Sequence, residues 1–598
     1  VIVVSSWLHL VALLGPASAA DLTFNKDVAP LLWTHCASCH RPGSSAPFSL
    51  IDYADVVPRI RPIVTAIKTR AMPPWLPEPG YGEFANARGL TAEEVDRIAQ
   101  WVAQGAPQGP ASDLPPKPQW TEGWQLGTPD LVVSLPQTYT VPAGPTDVFR
   151  TFVIPVPLVA ARYVRGVELR PGNRRIVHHA SMAIDRTRGS RRLDEADPAP
   201  GFAGGMLSQG VRSPEGRAIG WTPGITPRLE PEGMAWLLES GTDLVVQLHM
   251  LPSTAGEAEQ VQPSVGFYFS EAAPTRAPVD FKLGSKTIDI EAGRADYVIE
   301  DSYVLPVDVE LLSVYPHAHY LAKEMKASAA LPTGEVVPLL WIRDWDFHWQ
   351  DEYRYVEPPS LPAGTRVEMR YTYDNTAANQ NDRSRPPSRV AFGPQSSDEM
   401  GDLWLRLLPR TSADALTLAR AYMENEIRKD IDAGERLIRA QPRDAKRYNA
   451  LALSYVRAGR IADAMARLQD AVRLAPDTVE PHNNLGHVLQ LQGKVSDALE
   501  HYREAVRIAP GSDLVHLNLA NALQELDQIQ EAIPHFEQAI ALNPAAADAH
   551  NNLGVALGSL GRLDEAAVHF RQALEIRPDY GDALDNLRQV LQLLKQGR

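Results

Sequence analysis

The hydrophobic rhythm of the chain changes along its length. Between residues 131 and 409, runs such as TFVIPV (151–156), RYVRGVELR (162–170), DLVVQLHM (243–250), SVGFYFS (264–270) and TRVEMRYTY (365–373) are alternating or β-branched. Pro and Gly interrupt each run before a helical period is sustained, which predicts short antiparallel strands packed as sandwiches. The stretch exceeds the ~100 residues of one ordinary sandwich, so two in tandem are expected, 126–279 and 280–409, with a seam near 275–282 in APTRAPVDF. Beyond residue 411 the pattern is different. Pro442, Pro476, Pro510, Pro544 and Pro578 recur every 34 residues, as do Ala464, Ala498, Ala532 and Ala566, and Leu451, Leu485, Leu519 and Leu553. Ala471, Ala505, Ala539 and Ala573 share the period; Gly459, Gly493 and Gly561 keep it too, with Asp527 as the exception. Such a period predicts helix–turn–helix units stacked into an α-solenoid. Four clear units run 445–478, 479–512, 513–546 and 547–580, with a degenerate unit over 411–444 and a capping helix over 581–598.

The first residues, VIVVSSWLHLVALLGPASAA, are an apolar stretch followed by small residues. This predicts a secretory signal over 1–20, too short for a bilayer span, and hence an exported, periplasmic or extracellular protein with no other membrane association. An uncleaved anchor would export the chain equally. In segment 21–110, Thr91-Ala92-Glu93-Glu94 reads as a capping box opening a helix with Val95, Ile98 and Val102 on one face. The proline-rich stretch within 111–125 reads as a stiff linker.

Composition sharpens the partition. Of 50 prolines, 42 precede residue 409, and all twelve tryptophans lie at or before Trp404, so two differently built objects join near that point. A formal net charge of −15 excludes nucleic acid as the main partner. With 44% apolar residues the chain can bury substantial cores, and with two cysteines it cannot rely on disulfides.

Both cysteines fall in Cys36-Ala37-Ser38-Cys39-His40. This spacing suits covalent attachment of one c-type haem, with thioethers one helical turn apart and His40 as an iron ligand; a redox dithiol is the alternative. Met72, in AMPPW, is the candidate second axial ligand, because flanking prolines hold its loop rigid; gap-filling is the alternative. The segment resembles small class I-like cytochrome c domains. The β-rich region holds six histidines: His178, His179, His249, His317, His319 and His348. In His317-Ala318-His319 the i, i+2 spacing places both imidazoles on one strand face, a natural part of a metal site. His178 and His179 are adjacent and point apart on a regular strand, so they share an ion only across a bulge or strand end. His249, on a strongly alternating strand, can supply a third nitrogen. Met400 is a soft candidate, and a His–His–Met set favours copper. His348 reads as a packed or surface residue. His482, His516 and His550 recur in phase with the solenoid and read as a repeated structural position.

Taken in order, His178-His179, then Gln247-x-His249, then His317-x-His319 with Leu321-x-Lys323-x-Met325, then Asp374-Asn375-Thr376-Ala377-Ala378-Asn379, then Asp398-Glu399-Met400 resemble the ascorbate-dependent type II copper monooxygenases. The resemblance implies two copper ions in two jelly-roll-like sandwiches. His178, His179 and His249 would hold the electron-transfer copper; His317, His319 and Met400 would hold the copper that activates O2. Gln247 matches a family residue near the substrate channel. The family's carboxylate-anchoring positions correspond to Tyr315, Asp402 and Trp404, and an acid at 402 is expected to repel a carboxylate. The region has no cysteine, unlike the animal enzymes, and Gly401 follows the candidate ligand Met400. The expected function is an exported copper-dependent monooxygenase that hydroxylates a C–H bond of an unknown small-molecule or peptide substrate, with electrons relayed from the fused haem. A non-catalytic copper/haem electron carrier on a repeat scaffold is the alternative. The 34-residue repeats resemble tetratricopeptide repeats, which implies a groove for an unidentified protein partner.

Overall fold

The computed structural model describes the chain except residues 1–21, 43, 45, 120–122, 145–146, 205–210, 213–218, 224, 252–256, 380–385, 394, 396, 578–579 and 597–598. The expected signal sequence lies outside the described residues, as does Pro578. Among the described residues no helix is long and apolar enough to cross a membrane. The chain divides into two compact units, Val1–Ala419 and Arg420–Arg598.

The first unit opens with a helical module. Its helices α1 (Ala29–His35), α2 (Ile60–Lys68) and α3 (Ala92–Ala103) enclose Phe24, Val28, Leu32, Trp33, Ile98 and Trp101. The capping box is formed in full: Glu94 N–H donates to Thr91 Oγ1 (3.2 Å) and Thr91 N–H to the Glu94 carboxylate (2.8 Å). Two orphan amides are thereby satisfied, which fixes where α3 begins.

Residues 75–88 fall within the 21–110 segment but outside its helices. They leave the helices and lie along the second sandwich. Glu78 N–H donates to Trp341 O (2.7 Å), Ala85 N–H to Arg354 O (2.7 Å) and Val356 N–H to Glu83 O (2.8 Å). Trp75 and Phe84 pack on Tyr353 with ring centroids 5.2 and 5.4 Å apart. The prolines and glycines that bar a helix here leave backbone groups that need partners, and the edge of the sandwich supplies them.

The first sandwich contains strands β1 (Leu131–Ser134), β2 (Val148–Pro155), β3 (Arg162–Arg170), β4 (Val177–Asp185), β5 (Trp236–Leu238), β6 (Asp243–Met250) and β7 (Ser264–Ser270). One sheet runs β1-β7-β3-β5; in the other, β6 lies between β2 and β4. All pairs are antiparallel. Every residue of β6 except Gln247 is buried, because a central strand covered on both faces needs a continuous apolar run. The second sandwich is built on β8 (Val279–Gly284), β9 (Tyr297–Val304), β10 (Val309–Ala318), β11 (Ala322–Ala330), β12 (Val336–Ile342), β13 (Arg366–Tyr373) and β14 (Gly401–Pro409). Its sheets run β8-β14-β10 and β9-β13-β11-β12.

The second unit is a helical solenoid. Four antiparallel helix pairs, beginning at Ala445–Arg457 with Ile461–Leu474 and ending at Ala547–Ser559 with Leu563–Ile576, are followed by the capping helix Gly581–Gln596. The degenerate helix–turn–helix expected over 411–444 is instead one helix of 29 residues, Ser412–Ala440. Residues 412–440 include no proline, and their one glycine, Gly434, stays helical against Leu451, so nothing breaks the helix before Pro442. Within each pair the turn takes a left-handed residue: Gly459, Gly493 and Gly561 at φ 70°, 72° and 77°, and Asp527 at φ 61°. Asp527 therefore carries a steric cost its glycine counterparts escape. Asp527→Gly is expected to stabilise the protein by about 1 kcal/mol, visible as a higher denaturation midpoint of the solenoid; an unchanged or lower midpoint would contradict this.

Candidate functional site

The first cluster follows from strand register. In the β6–β4 pair His249 lies opposite His179, but the next pair is Met250 with Val177, so His178 is the extra residue of a β-bulge. The bulge turns His178 back to the side of its neighbour, as a shared site requires. His178 Nδ1 lies 3.3 Å from His179 Nδ1, and His249 Nδ1 lies 3.2 Å from the same atom. One ring nitrogen of each histidine falls within 4.8 Å of the others, a set that could hold a metal ion. His249 is oriented by its Nε2–H, which donates to Asp147 (3.0 Å), and by Phe149, whose ring stacks on it at 4.2 Å and 4°.

That geometry fits a cation. Burial, with the neighbouring histidines adding to it, holds His178 down to about 4 and His179 well below its ordinary value. Burial also lowers His249. All three rings are thus neutral near pH 7. With the His249 proton on Nε2, one Nδ1 hydrogen has two close N···N contacts to serve, so at most one of them is a full hydrogen bond. A cation amid the three Nδ1 atoms relieves this conflict.

The second cluster lies on β10 and the segment entering β14. His317 Nδ1 is 2.5 Å from Gln350 Oε1, and the amide is oriented by Gln350 Nε2–H donating to Phe347 O (3.0 Å). His319 Nδ1 is 3.0 Å from the Asp398 carbonyl. Both acceptors require Nδ1–H, so both rings leave Nε2 as the free donor atom. Burial, opposed for His317 by Gln350 and reinforced for His319 by His317, lowers both, His319 to about 4.

Met400 is joined to these histidines through Glu399. That carboxylate has no solvent exposure and accepts from the backbone N–H of His319 (2.6 Å), Leu321 (2.9 Å) and Met400 itself (2.8 Å). Tyr373 Oη–H holds the Met400 carbonyl (3.0 Å). Nearby, Asn375 of the Asp374–Asn379 motif is buried, its amide nitrogen 2.7 Å from Ser388 O.

A cavity of about 890 Å³ is shared by the two clusters; His179, His317, His319 and Met400 line it. Gln247 lines it too, its amide donating to Gly204 O (3.1 Å). Tyr315 and Trp404 also reach it. Asp402 corrects the sequence expectation: it is buried and paired with Lys282 (3.3 Å), which offsets the charge expected to repel a carboxylate.

His348 is a second correction. It is neither core filling nor plain surface; it lines the cavity, with its ring 5.2 Å from that of His178 and perpendicular to it. The adjacent Phe347 meets His319 edge-on at 5.7 Å, so one short 3-10 turn touches both clusters. The only local signal for this was the Asp346 side chain capping that turn at His348 N–H (2.9 Å).

In the helical module, Cys39 N–H and His40 N–H both donate to Cys36 O (3.2 and 2.9 Å), forming one turn. His40 Nδ1 is 3.2 Å from Phe48 O, which must accept its hydrogen and leaves Nε2 with its lone pair free. Burial, and then Cys39, pushes the Cys36 thiol up to about 12, which disfavours a reactive dithiol. Met72 follows α2 and is 37% exposed.

The Glu399 arrangement yields a stability prediction. Glu399→Ala strands three N–H groups and is expected to cost about 3 kcal/mol or more, read as a fall in the denaturation midpoint; an unchanged midpoint would refute the role given to this carboxylate.

The known proteins similar to the chain match its second unit. Tetratricopeptide-repeat families match residues 452–493, 477–545 and 517–581. Among curated proteins none matches. Solved structures include MamA, 22% identical over 26% of this chain and 90% of that one, with a TM-score of 0.25. YrrB, described as a TPR protein with an unusual peptide-binding site, is 21% identical over 29% and 88%, with a TM-score of 0.25. The first TPR of Spaghetti, bound to an HSP90 peptide, is 26% identical over 20% and 93%, with a TM-score of 0.19. The C-terminal region of the chain is a set of tetratricopeptide repeats.

Proposed function

We propose that the chain is an exported copper-dependent monooxygenase that hydroxylates a C–H bond with O2, takes its electrons from a c-type haem on Cys36, Cys39 and His40, and binds a protein partner through its repeats. The observation that carries this reading is the pair of imidazole clusters, one offering three Nδ1 atoms and the other two Nε2 atoms beside a thioether, facing a single cavity. The all-nitrogen set suits a metal that cycles between oxidation states, and the mixed set with Met400 favours copper in its softer state. Bound there, the two copper ions supply one-electron transfer and O2 activation, and the haem supplies the electrons.

The chain's own residues do the positioning. Asp147 and Phe149 hold His249, Gln350 holds His317, and the Asp398 carbonyl holds His319, so the donor atoms are set before any ion arrives. Phe149, Trp221, Trp236 and Trp404 give the cavity apolar walls against which an aliphatic or benzylic carbon can lie beside Met400 and His319. Gln247 and Tyr315 add polar groups that orient the substrate. Met72 would offer its thioether to the haem iron as a second protein ligand beside His40. The stacked repeats provide a concave groove for an extended partner segment.

The test is to pre-reduce copper-loaded, haem-loaded full chain without oxygen, admit O2 and follow the haem absorption band. The expected result is copper-dependent reoxidation that disappears in His317→Ala and Met400→Ala. Haem that stays reduced, or that reoxidises equally without copper, would overturn the proposal and favour a non-catalytic carrier.

A further inference from the structure

The 75–88 arm does more than hold two parts of the first unit together, because its last residue reaches the segment that supports the second cluster. Arg88 O is 3.2 Å from His35 Nδ1, and His35 immediately precedes Cys36. The Arg88 guanidinium, 21% exposed, meets the Asp351 carboxylate, 9% exposed, at 2.5 Å. Asp351 is followed by Glu352, whose backbone carbonyl accepts from Asn86 Nδ2 (2.8 Å), and preceded by Gln350, which holds His317 Nδ1 at 2.5 Å. A buried charged pair of this kind is a rigid joint, since removing either partner strands the other without solvent. Of the two arm side chains that bond this segment, Asn86 and Arg88, Arg88 holds the residue next to Gln350.

We propose that Arg88 is a positioning residue for the second metal centre: through Asp351 it sets Gln350, and Gln350 sets the ring plane and tautomer of His317. Docking of the Cys36–His40 module thereby completes the His317/His319/Met400 set, while the His178/His179/His249 set, held by Asp147 and Phe149 of its own sandwich, forms without it. This inference rests on the reading of those residues as copper ligands.

The experiment uses the full chain in two backgrounds, titrated with Cu(I) against a chromophoric Cu(I) chelator. His179→Ala leaves the second centre to be read alone, and His317→Ala leaves the first. In the His179→Ala background, Arg88→Met and Asp351→Asn are each expected to weaken Cu(I) binding about 10- to 100-fold, with Arg88→Lys recovering most of it. In the His317→Ala background the same substitutions are expected to change affinity by less than about twofold, because the first set has its own supports. Equal losses in both backgrounds would reduce Arg88 to general packing and overturn the inference, as would no loss in the first. Asp351→Asn preserves shape and carries the test if Arg88→Met fails to fold. Absence of Cu(I) binding in both backgrounds would sink the copper reading itself and the inference with it, whereas binding that ignores Arg88 sinks the inference alone.

Discussion

A carboxylate sealed from water must be repaid in hydrogen bonds, and Glu399 collects three of them from backbone amides on two separate stretches of chain. The amides of His319 and Leu321 belong to the short crossover that leads from β10 in one sheet to β11 in the other, and that of Met400 to the entry into β14. Because the acceptor is a single rigid group, the two stretches cannot drift apart without exposing a charge to an apolar interior. The position of the thioether relative to the imidazoles, the wall of the cavity and the start of β14 all inherit their precision from this one side chain. Tyr373 adds a second tie to the Met400 carbonyl, and the space it occupies explains Gly401: a Cβ there would lie 2.1 Å from the Tyr373 hydroxyl.

How much of this could be read from the sequence depends on the range of the interaction. Local rules held. The Thr91–Glu94 capping box, the i, i+2 geometry of His317 and His319, and the 34-residue solenoid period all arise from contacts a few residues apart or from exact repetition. Even the bulge at His178 follows from local logic, since two adjacent strand residues share a site only if the pleat is interrupted. What the sequence hid are the supports. Asp147 orients a ring 102 positions away, and Gln350 one 33 positions away. Neither has a spacing that marks it. Asp402 shows the converse error: read alone it is a repulsive acid, and only the strand pairing that brings Lys282 beside it changes its meaning.

The solenoid illustrates the same division. Its period is visible because each unit repeats one packing solution, yet the pairing of His482 with His501, His516 with His535 and His550 with His569 at Nδ1–Nδ1 distances of 3.2, 3.0 and 3.1 Å involves a second helix. In each pair the first histidine gives its Nε2–H to the proline carbonyl at the end of the preceding unit, so its Nδ1 can accept the partner's hydrogen and the pair is satisfied as it stands. The in-phase histidines are thus interhelical joints.

The arm formed by residues 75–88 has a consequence for how the protein is made. Its partners are encoded some 263 to 278 positions later, so at ordinary rates of synthesis the arm has no edge to pair with for about 13 to 56 s after it emerges. During that interval the turn carrying Cys36, Cys39 and His40 has already been made, while Asp351, which holds Arg88 beside His35, does not yet exist.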